Sequence, residues 1–108
     1  MNQKTHKSSI EDALERIRSL SLSEKKDLMH RTIKAQEELG ELSEAVLAVV
    51  DAPGMAYKNL GRENVKEEAC DVLQVVLSIC FIMGMDIPDI ASLLLLKADK
   101  WEKHQSKI

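Results

Sequence analysis

The stretch from Val72 to Met83 limits what this chain can fold into more than any other part of the sequence. Ten of its twelve residues are apolar, and the two exceptions are Gln74 and Ser78. A transmembrane helix needs about 20 such residues, so the run indicates a core helix without a solvated face. Three further helices of so small a chain cannot cover it on all sides, and we therefore expect a homodimer or homotetramer.

The composition favours a single all-α domain. The chain has 108 residues, enough for one core, and its two prolines and four glycines leave little turn material for a β-sheet. A net charge of −3 argues against binding to a nucleic-acid polymer, which requires a basic surface. The polar N-terminus lacks the apolar segment of a signal peptide, so we expect a cytoplasmic protein with no membrane association.

Capping and turn signals divide the chain into a four-helix-type bundle. We expect residues 1–7 to form a disordered tail and residues 8–108 to form one helical domain. The predicted helices span about residues 8–20, 21–50, 64–83 and 86–104. The second begins at a capping pattern that starts with Ser21, the third at Asn64, and Gly84 separates the third from the fourth. Residues 51–63 form the longest connection, where Tyr57, Lys58 and Arg62 are candidates for closing over a ligand.

Two groups of acids border the apolar surfaces of the two long helices. Each group has an acid at positions i, i+1 and i+4, which fall on one side of a helix. The acids are Glu37, Glu38 and Glu41 in the second helix and Glu67, Glu68 and Asp71 in the third. If these helices pack antiparallel, four or more carboxylates meet, and a divalent cation relieves their repulsion. Oxygen ligands favour Mg²⁺ or Mn²⁺ over zinc, although solvated acidic helix faces would show the same spacing.

The paired acidic motifs resemble the signature of the MazG-like all-α nucleoside triphosphate pyrophosphohydrolases. That signature is Glu-Glu-x-x-Glu, a variable spacer and Glu-x-x-Asp, and here the spacer has 26 residues. The resemblance covers roughly residues 28 to 104. It implies a Mg²⁺-dependent helical dimer or tetramer that cleaves (deoxy)nucleoside triphosphates to monophosphate and pyrophosphate. Clearing unwanted nucleotides from the nucleotide pool is the role that the resemblance suggests.

The resemblance also implies roles for individual residues. The implied metal ligands are Glu38, Glu41, Glu68 and Asp71; the implied catalytic residues are Glu37 and Glu41, with Glu67 as a further candidate for positioning water; the implied substrate-binding residues are Lys34, Lys97, Lys100 and Trp101. Lys34 also has the i,i+4 spacing of an ordinary ion pair with Glu38. The last helix departs from the family pattern, because His104 stands where an arginine is usual and the helix contains no asparagine.

Two other functions are compatible with parts of this pattern. A non-catalytic nucleotide- or partner-binding helical protein could keep the acids as a cation-stabilised cluster. A carboxylate-bridged di-iron bundle protein would use Glu-x-x-His pairs, and the sequence has none. A pyrophosphate assay with mixed nucleotides and Mg²⁺ separates the enzyme from the binding protein.

Overall fold

The computed structural model describes residues 9–50 and 61–106, which form four α-helices and no strand. The helices are α1 (Ile10–Ser23), α2 (Leu28–Val49), α3 (Arg62–Ile82) and α4 (Ile87–Ser106). The most extensive contact joins α2 to α3, and α1 also lies against α3. The predicted all-α fold is thereby confirmed. The expected tail, and Tyr57 and Lys58 in the long connection, lie outside the described residues.

The first helix is longer than its sequence pattern predicts. Its N-cap is Ser9, whose side chain accepts a hydrogen bond from the backbone N–H of Asp12 at 3.1 Å. The helix then continues through Ser21, where the sequence predicts the start of a second helix. The Ser21 hydroxyl donates instead to the carbonyl of Ile17 at 2.6 Å. A serine that bonds to the carbonyl four residues back remains within a helix, so the predicted start was wrong.

The true starts of α2 and α3 also differ from the predicted ones. Asp27 caps α2 by accepting a hydrogen bond from the backbone N–H of His30 at 2.9 Å, and this bond helps to hold the pKa of Asp27 below its usual range. At α3 the N-cap is Gly61, and Asn64 lies inside the first turn, where its N–H donates to the Gly61 carbonyl. Glycine serves as an N-cap without a side-chain hydrogen bond, so the capping residue was harder to find from sequence.

The turn between α3 and α4 ends one helix and begins the next as predicted. Gly84 has φ +91°, a conformation that glycine adopts without strain. Asp86 and Asp89 then bond reciprocally: the Asp89 N–H donates to Asp86 Oδ1 at 2.8 Å, and the Asp86 N–H donates to Asp89 Oδ2 at 3.0 Å.

Among the described residues no single helix is long and apolar enough to cross a membrane; α3 and α4 pass that test only as a pair bent by 116°.

The core lies where α1, α3 and the first turn of α4 meet. Its buried residues are Leu77, Phe81 and Ile90, and residues 91–106 of α4 are all exposed. On α3, Leu73 and Val76 are 53% and 43% exposed. A single chain therefore covers the apolar run only in part.

A buried arginine holds the junction between α1 and α2. Arg31 is 4% exposed, and its guanidinium donates from Nε to the Lys26 carbonyl at 2.8 Å. Its Nη2 donates to the carbonyls of Ser21 at 2.9 Å and Glu24 at 3.1 Å. These carbonyls lie at or just beyond the C-terminus of α1, where the helix dipole favours a cation. Arg31 thus fixes α1 against the start of α2.

Candidate active site

The two acidic motifs converge where α2 and α3 pack side by side. Carboxylate oxygens of Glu38, Glu41 and Glu68 all lie within 4.8 Å of one another. Glu38 is buried, Glu68 is half-buried and Glu41 is exposed. Asp71 lies one turn beyond Glu68 on the same helix face, and its charge also acts on Glu68. We call these four residues the carboxylate cluster.

Within the carboxylate cluster, the ionised form of Glu68 is destabilised by its surroundings. Its Oε1 atom is enclosed and has no hydrogen-bond partner in the described part of the chain. Burial raises the pKa of the Glu68 carboxyl, and the negative charges of Glu41, Asp71, Glu38 and Glu67 raise it further. An enclosed carboxylate oxygen without a partner is costly, and a divalent cation with oxygen coordination would remove that cost. The residues present therefore fit a divalent cation that takes oxygen ligands.

Lys34 forms ion pairs with Glu38 of the carboxylate cluster and with the neighbouring Glu37. Its Nζ lies 2.9 Å from Glu38 Oε2 and 3.6 Å from Glu37 Oε1. The hydrogen bond to Glu38 is the main reason why the pKa of Lys34 is raised. The Glu38 side chain is only 10% exposed, so this ion pair is better shielded from water than most surface pairs. The ion pair that the i,i+4 spacing predicts is therefore present, and it also tethers Glu37.

A cavity of about 580 Å³ lies between α1, α2 and α3 and reaches Lys34, the ion-pair partner of Glu38. Lys34 lines it on α2, and Gln74, Val75 and Ser78 line it on α3. The sequence interpretation missed this cavity. The available signal was that the two polar residues of the apolar run, Gln74 and Ser78, follow Asp71 at spacings that share one helix face.

The structure does not bring the predicted α4 residues to the carboxylates of the same chain. Lys97, Lys100 and Trp101 are all exposed, as is His104. The buried contact of α4 is made by its first turn, through Ile90. Substrate binding by Lys97, Lys100 and Trp101 stays a prediction.

Comparison with known protein families gives a match to the MazG nucleotide pyrophosphohydrolase domain over residues 24–106. The match covers most of the chain and includes both acidic motifs. The chain belongs to the MazG nucleotide pyrophosphohydrolase family. Neither the curated proteins nor the solved structures give a match. In this MazG domain, α1 lies outside the matched residues, because it ends at Ser23.

Because the pKa of Glu68 is raised, we expect the stability of this MazG protein without metal to depend on pH. A raised folded-state pKa means that the native protein binds a proton more readily than the unfolded chain does. Its stability therefore falls as pH rises from the unfolded value, near 4.5, through the folded value. We expect metal-free wild type to gain stability relative to Glu68→Gln when pH is lowered from about 7 to about 5.

Urea denaturation of both proteins in excess chelator, at a series of pH values, measures this difference. Glu15→Gln, at an exposed acid of α1 outside the cluster, is the matched control and should show a smaller change. A stability difference between wild type and Glu68→Gln that is independent of pH would contradict the raised pKa of Glu68.

Proposed function

We propose that this protein is a Mg²⁺-dependent hydrolase, also active with Mn²⁺, that cleaves (deoxy)nucleoside triphosphates to the monophosphate and pyrophosphate. The observation that carries the proposal is the meeting of carboxylate oxygens of Glu38, Glu41 and Glu68 within 4.8 Å, with an oxygen of Glu68 that has no hydrogen-bond partner among residues 9–50 and 61–106. Family membership supplies the class of reaction. Clearing surplus or non-standard nucleotides in the cytoplasm is part of the same proposal.

The metal ligands in this proposal are the four residues of the carboxylate cluster. A triphosphate carries about four negative charges, so it needs a cation beside an acidic site; bound Mg²⁺ would supply that charge and lower the pKa of a water molecule. Glu37 and Glu41 orient the attacking water and accept its proton. An oxygen–phosphorus bond forms at the α-phosphorus, and the bond from that phosphorus to the bridging oxygen breaks. Pyrophosphate is the leaving group.

Incubation with a mixture of nucleoside triphosphates and Mg²⁺ tests this function. We expect pyrophosphate and nucleoside monophosphate in equal amounts, and neither product in excess chelator. If no triphosphate is hydrolysed although nucleotides bind, the protein is instead a non-catalytic binding protein of the same fold.

We further propose that the protein works as a homodimer or homotetramer. Leu93, Leu94, Leu95 and Leu96 are 44%, 60%, 67% and 56% exposed on α4 of a single chain. Exposed apolar surface of this kind is typical of an interface. A second copy would cover it. Because α4 extends from its own chain after Ile90, such pairing is also the way for Lys97, Lys100 and Trp101 to approach a carboxylate cluster.

Sedimentation at micromolar concentration should show a dimer or tetramer. Leu95→Glu should weaken the assembly at least a hundredfold, because a charge placed in an apolar interface loses its hydration. Gln105→Glu adds the same charge at an exposed polar position of α4 and should leave the assembly intact. A wild-type protein that sediments as a compact monomer would contradict the proposal.

A further inference from the structure

We propose that Lys34 competes with the divalent cation for Glu38, and that its ammonium group leaves this carboxylate when the cation binds. The proposal rests on the metal site of the function proposed above, and it concerns a residue that is not itself a ligand. Lys34 thereby acts as an internal counter-ion, which stabilises the carboxylate cluster without metal and lowers the affinity of the cluster for metal.

The Glu38 carboxylate needs a positive charge nearby in the metal-free protein. Its side chain is only 10% exposed, so little water can solvate its charge. Oxygens of Glu41 and Glu68 lie within 4.8 Å of a Glu38 oxygen and add repulsion. Lys34 supplies a positive charge from the same helix, with its Nζ 2.9 Å from Glu38 Oε2. A divalent cation bound among these carboxylates would supply that charge in its place.

The Lys34 side chain can move away from Glu38. It is 54% exposed, and its ammonium group ends a flexible four-carbon chain. Its second contact, to Glu37 Oε1 at 3.6 Å, is with a side chain that is 63% exposed. Arg31, in contrast, is 4% exposed and donates to three main-chain carbonyls. Of these two cations of α2, Lys34 is therefore the one that can leave its partner and be solvated.

Electrostatic repulsion favours the exchange. An ammonium group and a divalent cation that contact one carboxylate lie only a few ångströms apart and repel each other. Glu38 is buried and Glu68 is half-buried, so this repulsion is screened less than it is between solvated charges. The cation interacts with several carboxylates at once, whereas Lys34 contacts the cluster through Glu38. The cation therefore displaces Lys34 rather than the reverse.

The exchange links the stability of the protein to its metal affinity. If Lys34 stabilises the metal-free protein and not the metal-bound protein, it must weaken metal binding by the same factor. An uncharged residue at this position therefore destabilises the metal-free protein and tightens metal binding. A lysine that instead oriented Glu38 in the metal-bound protein would give the opposite result, because its loss would weaken metal binding.

Titration with Mn²⁺, followed by electron paramagnetic resonance of the free ion, measures metal affinity without any turnover. Lys34→Met should bind Mn²⁺ roughly tenfold more tightly than wild type, which corresponds to about 1.4 kcal/mol. Lys34→Arg keeps a cation at this position and should bind Mn²⁺ nearly as weakly as wild type. Lys66→Met is the matched control, because Lys66 pairs with the exposed Glu63 on α3 at 3.0 Å, outside the carboxylate cluster. Its metal affinity should be nearly unchanged.

Thermal melting of the same variants gives a second readout. In excess chelator, Lys34→Met should melt about 5 °C below wild type, and saturating Mg²⁺ should close this gap. Unchanged or weaker Mn²⁺ binding in Lys34→Met, an equal gain in Lys66→Met, or a gap that persists in Mg²⁺ overturns the exchange. If the wild type still hydrolyses triphosphates with Mg²⁺, the proposed function stands. A wild-type protein that binds no Mn²⁺ rejects the metal site, and with it both proposals.

Discussion

We expect Glu41→Gln and Asp71→Asn each to lower kcat/KM at least a hundredfold, while the metal-free variants should melt no lower than wild type. Each amide keeps the size and hydrogen-bonding capacity of the side chain and removes one charge from the carboxylate cluster. A hundredfold loss corresponds to about 3 kcal/mol of transition-state stabilisation, which is reasonable for a weakened metal site. Stability should not fall, because the charges of Glu41 and Asp71 both act unfavourably on Glu68.

Steady-state kinetics with Mg²⁺ and thermal melting in excess chelator measure the two effects separately. Glu15→Gln makes the same chemical change at an exposed acid of α1 and should leave both quantities nearly unchanged. Amide variants that hydrolyse triphosphates at the wild-type rate, but unfold at lower temperature without metal, would show that the carboxylates are structural.

Mg²⁺ and Mn²⁺ should each raise the melting temperature of the wild-type protein. An ion that binds the native state alone, at ten times its dissociation constant, stabilises it by about 1.4 kcal/mol. For a chain of this size that corresponds to a rise of roughly 5 °C or more. The physical reason is that the cation offsets the repulsion at Glu68, whose Oε1 has no partner among the described residues.

Differential scanning calorimetry, with excess chelator and with excess Mg²⁺, measures this stabilisation. Glu68→Gln should lose most of the increase, because it removes the half-buried carboxylate from the cluster. Equal melting temperatures in chelator and in Mg²⁺ would rule out a metal site at these residues.

The sequence predicted the convergence of the acids because two simple rules determine it. An acid at i, i+1 and i+4 occupies one helix face, and antiparallel packing of two such helices brings Glu38 and Glu41 close to Glu68. The turn at Gly84 was predictable for a similar reason, since a glycine with φ +91° ends a helix locally. Helix periodicity and antiparallel packing together were sufficient for the acids, and local turn chemistry was sufficient for Gly84.

The features that sequence missed depend on contacts between elements. Arg31 bonds to main-chain carbonyls, and a carbonyl carries no sequence signal that would identify it as a partner. The predicted start of α2 was wrong because Ser21 and Asp27 are both good capping residues. The structure has Asp27 as the N-cap, and in that arrangement Arg31 bonds to the carbonyls of Ser21 and Glu24. The cavity between α1, α2 and α3 depends on how three helices are arranged, which the spacing of Gln74 and Ser78 does not determine by itself.

Hydrolysis of a nucleoside triphosphate in water labelled with oxygen-18 tests the central claim most directly. Attack at the α-phosphorus places the label in the monophosphate, and mass spectrometry of both products locates it. We predict labelled monophosphate and unlabelled pyrophosphate, formed with Mg²⁺ and strongly diminished in Glu41→Gln. Label in the released pyrophosphate, or in inorganic phosphate accompanied by a diphosphate, would contradict the account.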